Sequence, residues 1–127
     1  MRLLLDTHFF LWYITNDVKL PGKFVDAIRD PANEVFLSVI SQWEITIKCD
    51  LGRLALPQRP DIYFPAQRRG HRIKSLDITE GSVNRLSGLP AIHRDPFDRM
   101  LVSQALAEGL TLLTVDPDIP KYPVAIF

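Results

Sequence analysis

The sequence predicts an α/β fold with a mainly parallel sheet, and two observations carry that prediction. Short, continuously apolar segments alternate along the chain with longer segments whose apolar residues recur at helical spacing. Uninterrupted apolar strands are typical of parallel sheets, because helices cover both faces of such a sheet. The length of 127 residues, with 46% hydrophobic and 24% charged side chains, fits one domain, residues 1–127, with a full hydrophobic core.

The first half of the chain is predicted to contain two strands and three helices. In chain order these are a strand at 3–5, an aromatic-rich helix, a helix with Pro21 in its first turn, a strand at 35–37, and a helix from Ser41 to near Gly52. The strands are predicted from short apolar runs, and the helices from apolar residues three or four positions apart. Residues 61–69 could be helical, but Pro65 would strain such a helix, so no element is assigned to residues 57–70.

The second half is predicted to contain three strands and two helices. In chain order these are a strand at 73–78, a helix from its cap at Thr79 to about Leu86, a helix at 96–108, a strand at 112–115, and a short last strand at 124–126. The helix before Gly109 is the clearest of all. Asp95 is a favourable N-cap for it, and Pro96 suits the first helical position.

The composition excludes several classes of protein. A single cysteine, Cys49, excludes an internal disulfide framework and a cysteine-based zinc site, and it fits a reducing cytoplasm, where we expect the protein. Fifteen basic and fifteen acidic side chains cancel, which excludes a uniformly basic nucleic-acid-binding domain but not a nucleic-acid substrate. No apolar run approaches the roughly 20 residues of a membrane-spanning helix, and Asp6 interrupts the N-terminal run before it forms a signal peptide.

Four acidic side chains follow predicted strands or lie early in the helices behind them: Asp6, Glu44, Asp98 and Asp116. Sites in parallel sheets form at the carboxyl ends of the strands, so we expect these acids to converge. Converging carboxylates repel each other unless a cation lies among them, and Mg²⁺ or Mn²⁺ prefers oxygen ligands. Such a site suits hydrolysis of a phosphodiester, because the ion generates hydroxide and offsets charge at phosphorus.

Each of these acids also has a purely structural interpretation. The alternatives are a capping box formed by Ser41 and Glu44, an N-cap at Asp95 beside a dipole-stabilised Asp98, a turn opened by Asp116, and a helix cap at Asp6. A zinc site does not compete with these interpretations. The three histidines share no i, i+3 or i, i+4 spacing.

Four segments of the chain carry a resemblance to a known family, and they occur in the order expected for that family. They are Asp6-Thr7-His8 after an apolar strand, Ser41-Gln42-Trp43-Glu44-Ile45 with Lys48 and Gly52, the block His93 to Arg99 with the helical run after it, and Thr114-Val115-Asp116. Together they resemble the PIN domain and, more narrowly, the VapC-type toxins of bacterial type II toxin–antitoxin systems. The resemblance extends from Met1 to about Val124, and the block at 93–105 is its most specific part.

The resemblance implies a PIN-like three-layer α/β/α sandwich. It also implies a Mg²⁺-dependent endoribonuclease, with Mn²⁺ as an alternative ion, that hydrolyses RNA and serves as the toxin of a toxin–antitoxin pair. Two partners beyond the RNA substrate are implied. One is a second copy of the chain in a homodimer, and the other is a cognate antitoxin whose C-terminal segment covers the site. No membrane association is implied.

The family's site residues carry over to the positions that match its motifs. Its four acids match, in order, Asp6, Glu44, Asp98 and Asp116. The first, third and fourth would coordinate metal, whereas Glu44 would bind a second ion or orient the attacking water. Asp95 is interpreted first as an N-cap and second as an outer acid, and Thr114 as a supporting hydrogen-bonding residue. Four basic residues near the acids are candidates for contacts with the RNA backbone: Lys48, Arg53, Arg94 and Arg99.

Two rival hypotheses remain open at the level of sequence. One is a non-catalytic PIN-like module that binds RNA or a protein partner, and dependence on metal separates it from a nuclease. The other is a phosphoaspartate enzyme or receiver domain, because Asp6 follows a strand. The second fits poorly, since a haloacid-dehalogenase-like phosphatase carries a second acid two residues later, where this chain has His8.

Three further features have more than one interpretation. The basic run at 68–74 is either a solvated edge of the sheet or a contact for RNA phosphates. Trp12 and Trp43 either belong to the core, stack on bases, or line a groove that an apolar helix occupies. His8 and His93 are interpreted as structural or hydrogen-bonding residues rather than metal ligands.

Overall fold

The protein, described here over residues 1–127 by a computed structural model, consists of four strands and six α-helices. The strands are β1 (Arg2–Leu5), β2 (Glu34–Ser38), β3 (Lys74–Leu76) and β4 (Thr111–Leu113). The helices are α1 (Thr7–Ile14), α2 (Gly22–Arg29), α3 (Val39–Asp50), α4 (Pro60–Gly70), α5 (Glu80–Arg85) and α6 (Pro96–Glu108). No helix has both the length and the hydropathy needed to cross a membrane.

The strands form one sheet in the order β3-β2-β1-β4, and every pair of neighbours is parallel. Leu3 and Leu5 of β1 point into one hydrophobic cluster with side chains of α1 to α4, whereas Leu4 points into a second cluster with α6. Alternate residues of a strand face opposite sides of the sheet, so helices cover both faces. The predicted α/β class and the three-layer α/β/α arrangement are confirmed.

The predicted start of α3 at Ser41 is wrong. The helix begins at Val39, directly after β2, and its N-cap is Ser38, whose Oγ accepts a hydrogen bond from Ile40 N at 3.0 Å. Ser41 is fully buried inside the helix. Glu44 consequently lies in the second turn rather than the first, and the capping box proposed for Ser41 and Glu44 does not exist.

The unassigned segment at 57–70 contains a helix, α4, in spite of Pro65. Pro60 occupies the first turn, where a missing N–H costs nothing. Inside the helix Pro65 removes one hydrogen bond, at a typical cost of about 3 kcal/mol. Burial of Phe64, whose ring lies 4.7 Å from that of Phe10, offsets this cost. Tertiary packing therefore overrides the local signal.

The predicted ends of the later strands need correction. The strand predicted at 73–78 covers only Lys74–Leu76, and the strand predicted at 112–115 covers only Thr111–Leu113. Both stop where their neighbours stop, since Leu76 pairs with the last residue of β2 and Leu113 with the last residue of β1. The strand predicted at 124–126 is reduced to one bridge between Leu112 and Ile126.

Local capping signals set the ends of the other helices. Asp95 is the N-cap of α6, as predicted, with Oδ1 accepting from Phe97 N at 2.8 Å, and Gly109 ends the helix in the left-handed region at φ 65°. Thr79 caps α5 as predicted. Pro21 lies at the N-cap position of α2 rather than in its first turn.

A candidate metal centre at the carboxyl edge of the sheet

Three of the four predicted acids line one cleft of about 370 Å³. Asp6 directly follows β1, Asp98 lies in the first turn of α6, and Asp116 lies three residues beyond the end of β4. These positions are at the carboxyl ends of the two adjacent strands β1 and β4, where parallel sheets place their sites. His8 and Trp12 of α1 complete one wall of the cleft.

Asp6 points to β4 rather than into its own helix. It occupies the N-cap position of α1, but its side chain accepts no capping hydrogen bond. Its Oδ2 instead accepts a hydrogen bond from Thr114 Oγ1 at 2.8 Å. Burial raises the pKa of Asp6. The hydrogen bond from Thr114 and the nearby side chain and amide of His8 favour the charged form and partly offset that rise. The helix-cap interpretation of Asp6 is therefore not the role that this structure shows.

Asp98 has the most perturbed acid–base behaviour in the cleft. Burial, followed by the charges of Asp95 and Asp6, raises the pKa of Asp98 to about 6. Its carboxylate accepts no hydrogen bond, because Asp95 and not Asp98 caps the helix. A carboxylate that is partly desolvated and surrounded by like charges is stabilised when a cation arrives.

Asp116 is held at both carboxylate oxygens. Its Oδ1 accepts from Asp118 N at 2.9 Å, which is the turn predicted for this residue. Its Oδ2 lies 2.8 Å from His93 Nε2. The amide of Asp116 donates to Thr114 Oγ1 at 3.0 Å, so the predicted support from Thr114 reaches two acids at once.

Glu44 lies near this group but outside the cleft lining. Its largely buried carboxylate pairs with Lys48 Nζ at 3.1 Å, one turn further along α3. Its charge contributes to the raised pKa values of Asp6 and Asp98. A buried hydrogen bond of 2.8 Å from Thr7 Oγ1 to Ser41 Oγ fastens the start of α1 to α3. The two helices that carry Asp6 and Glu44 are thus fixed relative to each other.

The donor atoms of the cleft suit a hard divalent cation. One ligand atom from each of His93, Asp98 and Asp116 lies within 4.8 Å of the other two, and Asp6 lines the same cleft. Carboxylate oxygens are the ligands that Mg²⁺ and Mn²⁺ prefer. Burial and the neighbouring charges of Asp95 and Asp6 disfavour the charged form of Asp98, and a bound cation would offset both effects. The side chains therefore fit a divalent metal ion.

The four predicted basic residues differ in whether their side chains already have hydrogen-bond or ion-pair partners. Arg99 donates to the backbone oxygen of Pro90 at 2.8 Å and so holds the loop before α6, while Lys48 is paired with Glu44. Arg53 and Arg94 are exposed, and their side chains make no hydrogen bond or ion pair. These last two remain available for a ligand.

A larger cavity, of about 430 Å³, lies at the opposite edge of the sheet. Tyr13, Arg29 and His71 line it, close to the C-terminal ends of α1, α2 and α4. Cationic side chains there complement the negative ends of three helix dipoles. Within the basic run, Arg68 donates to Ile73 O at 3.0 Å and Lys74 pairs with Glu34 at 2.7 Å. Two side chains of the basic run thus have structural partners. The larger volume of this cavity does not by itself make it the functional site.

Sequence reasoning missed the side chains that orient the acids. The sequence indicates no role for Tyr122, whose hydroxyl lies 2.9 Å from His93 Nδ1, or for Thr7, which donates to Ser41. The hydrogen-bonding interpretation of His93 is confirmed. Thr7 lies between Asp6 and His8, so its neighbours in the sequence give no signal of a buried hydrogen bond to Ser41.

Known proteins are similar to this chain over nearly its whole length. The sequence family described as PIN domain matches residues 3–125. Among solved structures, chains of similar fold occur in VapBC2 from Rickettsia felis bound to a DNA fragment from their promoter, in a toxin–antitoxin complex from Klebsiella pneumoniae, and in FitAcB from Neisseria gonorrhoeae. Their TM-scores are 0.72, 0.64 and 0.62 at sequence identities of 16%, 15% and 19%, with 99%, 98% and 98% of this chain and 96% of each of those chains covered. No curated protein sequence matches significantly.

Proposed function

This chain belongs to the PIN domain family, and we propose that it is a metal-dependent endoribonuclease acting as the toxin of a toxin–antitoxin pair. The observation that carries the proposal is the cleft that Asp6, Asp98 and Asp116 line together. Burial and the nearby charges of Asp95 and Asp6 raise the pKa of Asp98, so its charged form would be stabilised by a cation in the cleft. A cation site of this kind suits attack on a phosphodiester better than binding of a neutral ligand.

Asp6, Asp98 and Asp116 would hold the ion, Mg²⁺ or Mn²⁺, with Glu44 placed for a second ion or for the attacking water. When bound, the metal supplies a hydroxide at neutral pH and offsets charge at the phosphorus. Thr114 keeps Asp6 turned toward the cleft through its 2.8 Å hydrogen bond. Hydrolysis would proceed in line, without a covalent link between RNA and the enzyme.

The surroundings of the cleft suit a single-stranded RNA. Trp12 and His8 stack on each other at 6.1 Å with an interplanar angle of 25°, at the wall of the cleft. An aromatic pair at this position can stack on an unpaired base. The unpaired guanidinium groups of Arg53 and Arg94 are the candidates for phosphate contacts, because the formal net charge of zero provides no general attraction for RNA.

The proposed protein partners are a cognate antitoxin and a second copy of this chain. Two of the structures with a similar fold are VapBC2 and a toxin–antitoxin complex, which supports an antitoxin for this chain. Trp43 is 57% exposed and packs edge-on against Phe97 at 5.4 Å. This exposed aromatic surface on α3 and α6 is suited to a protein contact.

The decisive experiment is RNA cleavage by the purified chain with Mg²⁺ and with EDTA. We expect cleavage and growth inhibition in cells with the native chain, and loss of both in an Asp6→Asn, Asp98→Asn double variant. Asp77→Asn is the matched control, because Asp77 follows β3 at the same edge but does not line the cleft. RNA binding without cleavage under any metal condition would favour the non-catalytic module instead.

A further inference from the structure

We propose that His93 is a positioning residue for Asp116, and that Tyr122 holds the His93 ring in the orientation this task requires. The proposal rests on the proposed function, in which Asp116 is one of the metal-binding acids. His93 lies in the loop before α6, Asp116 lies after β4, and Tyr122 follows the short turn at 119–121. Two segments distant in sequence, the loop before α6 and the stretch after β4, thus meet at one imidazole ring.

Three contacts define the arrangement. His93 Nε2 lies 2.8 Å from Asp116 Oδ2, and His93 Nδ1 lies 2.9 Å from the Tyr122 hydroxyl. The backbone N–H of His93 donates to the same hydroxyl oxygen at 2.9 Å. The two rings stack with an interplanar angle of 17°. The imidazole is therefore fixed in position and in rotation.

The contacts also fix the proton on the ring. An ionised Asp116 only accepts hydrogen bonds, so His93 Nε2 must carry a hydrogen. The Tyr122 oxygen already accepts from the His93 amide, and its own hydrogen is free to donate to His93 Nδ1. Every polar atom then has a partner of the right kind when the ring carries its hydrogen at Nε2.

This tautomer separates His93 from the metal ligands. Nε2 is close enough to Asp98 and Asp116 to share an ion with them, but its lone pair is replaced by the N–H that Asp116 accepts. Asp116, held at Oδ2 by His93 and at Oδ1 by Asp118 N, keeps further lone pairs on both oxygens. Hydrogen-bond partners behind a ligating group commonly change metal affinity about 10–100-fold.

The support for His93 is rigid. Tyr122 is 3% exposed and belongs to the hydrophobic cluster that contains Leu112 of β4 and Val102 of α6. The side chain of His93 is only 11% exposed. Asp116, three residues beyond the end of β4, is therefore oriented by a group that the core anchors, as a precise site needs.

The test measures Mn²⁺ affinity without RNA, by electron paramagnetic resonance, for the native chain, His93→Ala, His93→Gln and Tyr122→Phe. We expect His93→Ala to bind Mn²⁺ about 10-fold or more weakly. His93→Gln should recover much of the loss, because its amide can donate to Asp116 in place of Nε2. His71→Ala, at the opposite edge of the sheet, is the matched control and should keep native affinity.

A second measurement addresses the tautomer without any metal. Long-range ¹H–¹⁵N NMR spectra should show a hydrogen at His93 Nε2 in native protein, and Tyr122→Phe, in which the ring loses the hydroxyl that holds it, should bind Mn²⁺ more weakly. Native Mn²⁺ affinity in His93→Ala, no Mn²⁺ binding by the native chain, or an Nδ1–H tautomer in the native chain would overturn the inference. Failure of the proposed function looks different, since the native chain would then bind Mn²⁺ in the predicted way yet cleave no RNA.

Discussion

Thr114 and Asp6 are joined by a 2.8 Å hydrogen bond from Thr114 Oγ1 to Asp6 Oδ2, across 108 residues of sequence. The same hydroxyl oxygen accepts from the amide of Asp116 at 3.0 Å. One side chain after β4 therefore orders two of the acids that line the cleft. The carboxylates are arranged by their surroundings before any ion binds.

Thr114→Val should weaken the site, because valine keeps the shape of threonine but can neither donate to Asp6 nor accept from Asp116. The Thr114 hydrogen bond lowers the pKa of Asp6, so its loss lets burial raise that pKa further. We expect a loss of about 1–3 kcal/mol in the free energy of unfolding and weaker Mn²⁺ binding. Thr114→Ser keeps the hydroxyl and should stay near native in both urea unfolding and Mn²⁺ titration. Equal behaviour of the Val and Ser variants would show that the hydroxyl is unimportant.

The stability of the metal-free protein should fall as pH rises from about 4 to about 6 because of Asp98. Its folded pKa is raised from 3.8 to about 6, so in this window the folded state binds more protons than the unfolded chain. We expect Asp98→Asn to remove this decline. At pH 7 in EDTA its free energy of unfolding should exceed that of the native chain by about 1–2 kcal/mol, a figure reduced because the Asp98 carboxylate is partly exposed. Urea unfolding across pH in EDTA measures both effects. Parallel pH profiles of native and variant protein would contradict the prediction, whereas Asp77→Asn should keep the native profile.

Asp95 should show two separable effects, one on helix capping and one on the charge of Asp98. Asp95→Asn retains an oxygen that can accept from the Phe97 amide, but it removes a charge that raises the pKa of Asp98. Asp95→Ala removes both, so it should be less stable than Asp95→Asn by about 0.5–2 kcal/mol. NMR titration should show the pKa of Asp98 lowered in both variants. If the two variants unfold at the same urea concentration, Asp95 does not cap α6.

The fold class was predictable because its signals are local. Asp95, Pro96 and Gly109 mark both ends of α6 in the sequence itself, and apolar runs mark the strands. The start of α3 was not predictable in this way, since Ser38 and Ser41 are both good caps. The choice between them depends on where β2 stops pairing with β3, and that is a property of the sheet. Helix α4 likewise depends on the packing of Phe64 against Phe10.

The same distinction between local signals and tertiary contacts applies to the candidate site. The meeting of Asp6, Asp98 and Asp116 follows from one rule, that parallel strands end at a common edge. The contacts that orient these acids follow no sequence pattern. His93 and Asp116 are 23 residues apart, and Thr114 and Asp6 are 108 apart. Only the assembled sheet brings such pairs together, so the sequence predicts the acids of the cleft better than it predicts their hydrogen-bonded supports.

Glu44 provides the sharpest test of how far the metal site extends. Because Ser38 caps α3, neither Glu44→Gln nor Glu44→Ala removes a cap. Each variant loses the ion pair with Lys48 but also relieves repulsion of Asp6 and Asp98, so both should unfold within about 0.5 kcal/mol of the native chain. Ser38→Ala, the matched control for capping, should lose about 1–2 kcal/mol, since its hydroxyl also donates to Gln104 Oε1 at 2.5 Å.

Metal binding then separates the two partners of the Glu44–Lys48 ion pair. If Glu44 helps to hold an ion, Glu44→Gln should weaken Mn²⁺ binding, because a negative charge near Asp6 and Asp98 is lost. Lys48→Met should strengthen Mn²⁺ binding, because it removes the cation that competes for the Glu44 carboxylate. At the edge of a protein one such charge contributes on the order of 1 kcal/mol, which is about fivefold in affinity. Glu44 would belong to the site if Mn²⁺ affinity falls in Glu44→Gln and rises in Lys48→Met, and if RNA cleavage by Glu44→Gln falls together with its Mn²⁺ affinity. Unchanged binding in both would restrict the ion to Asp6, Asp98 and Asp116.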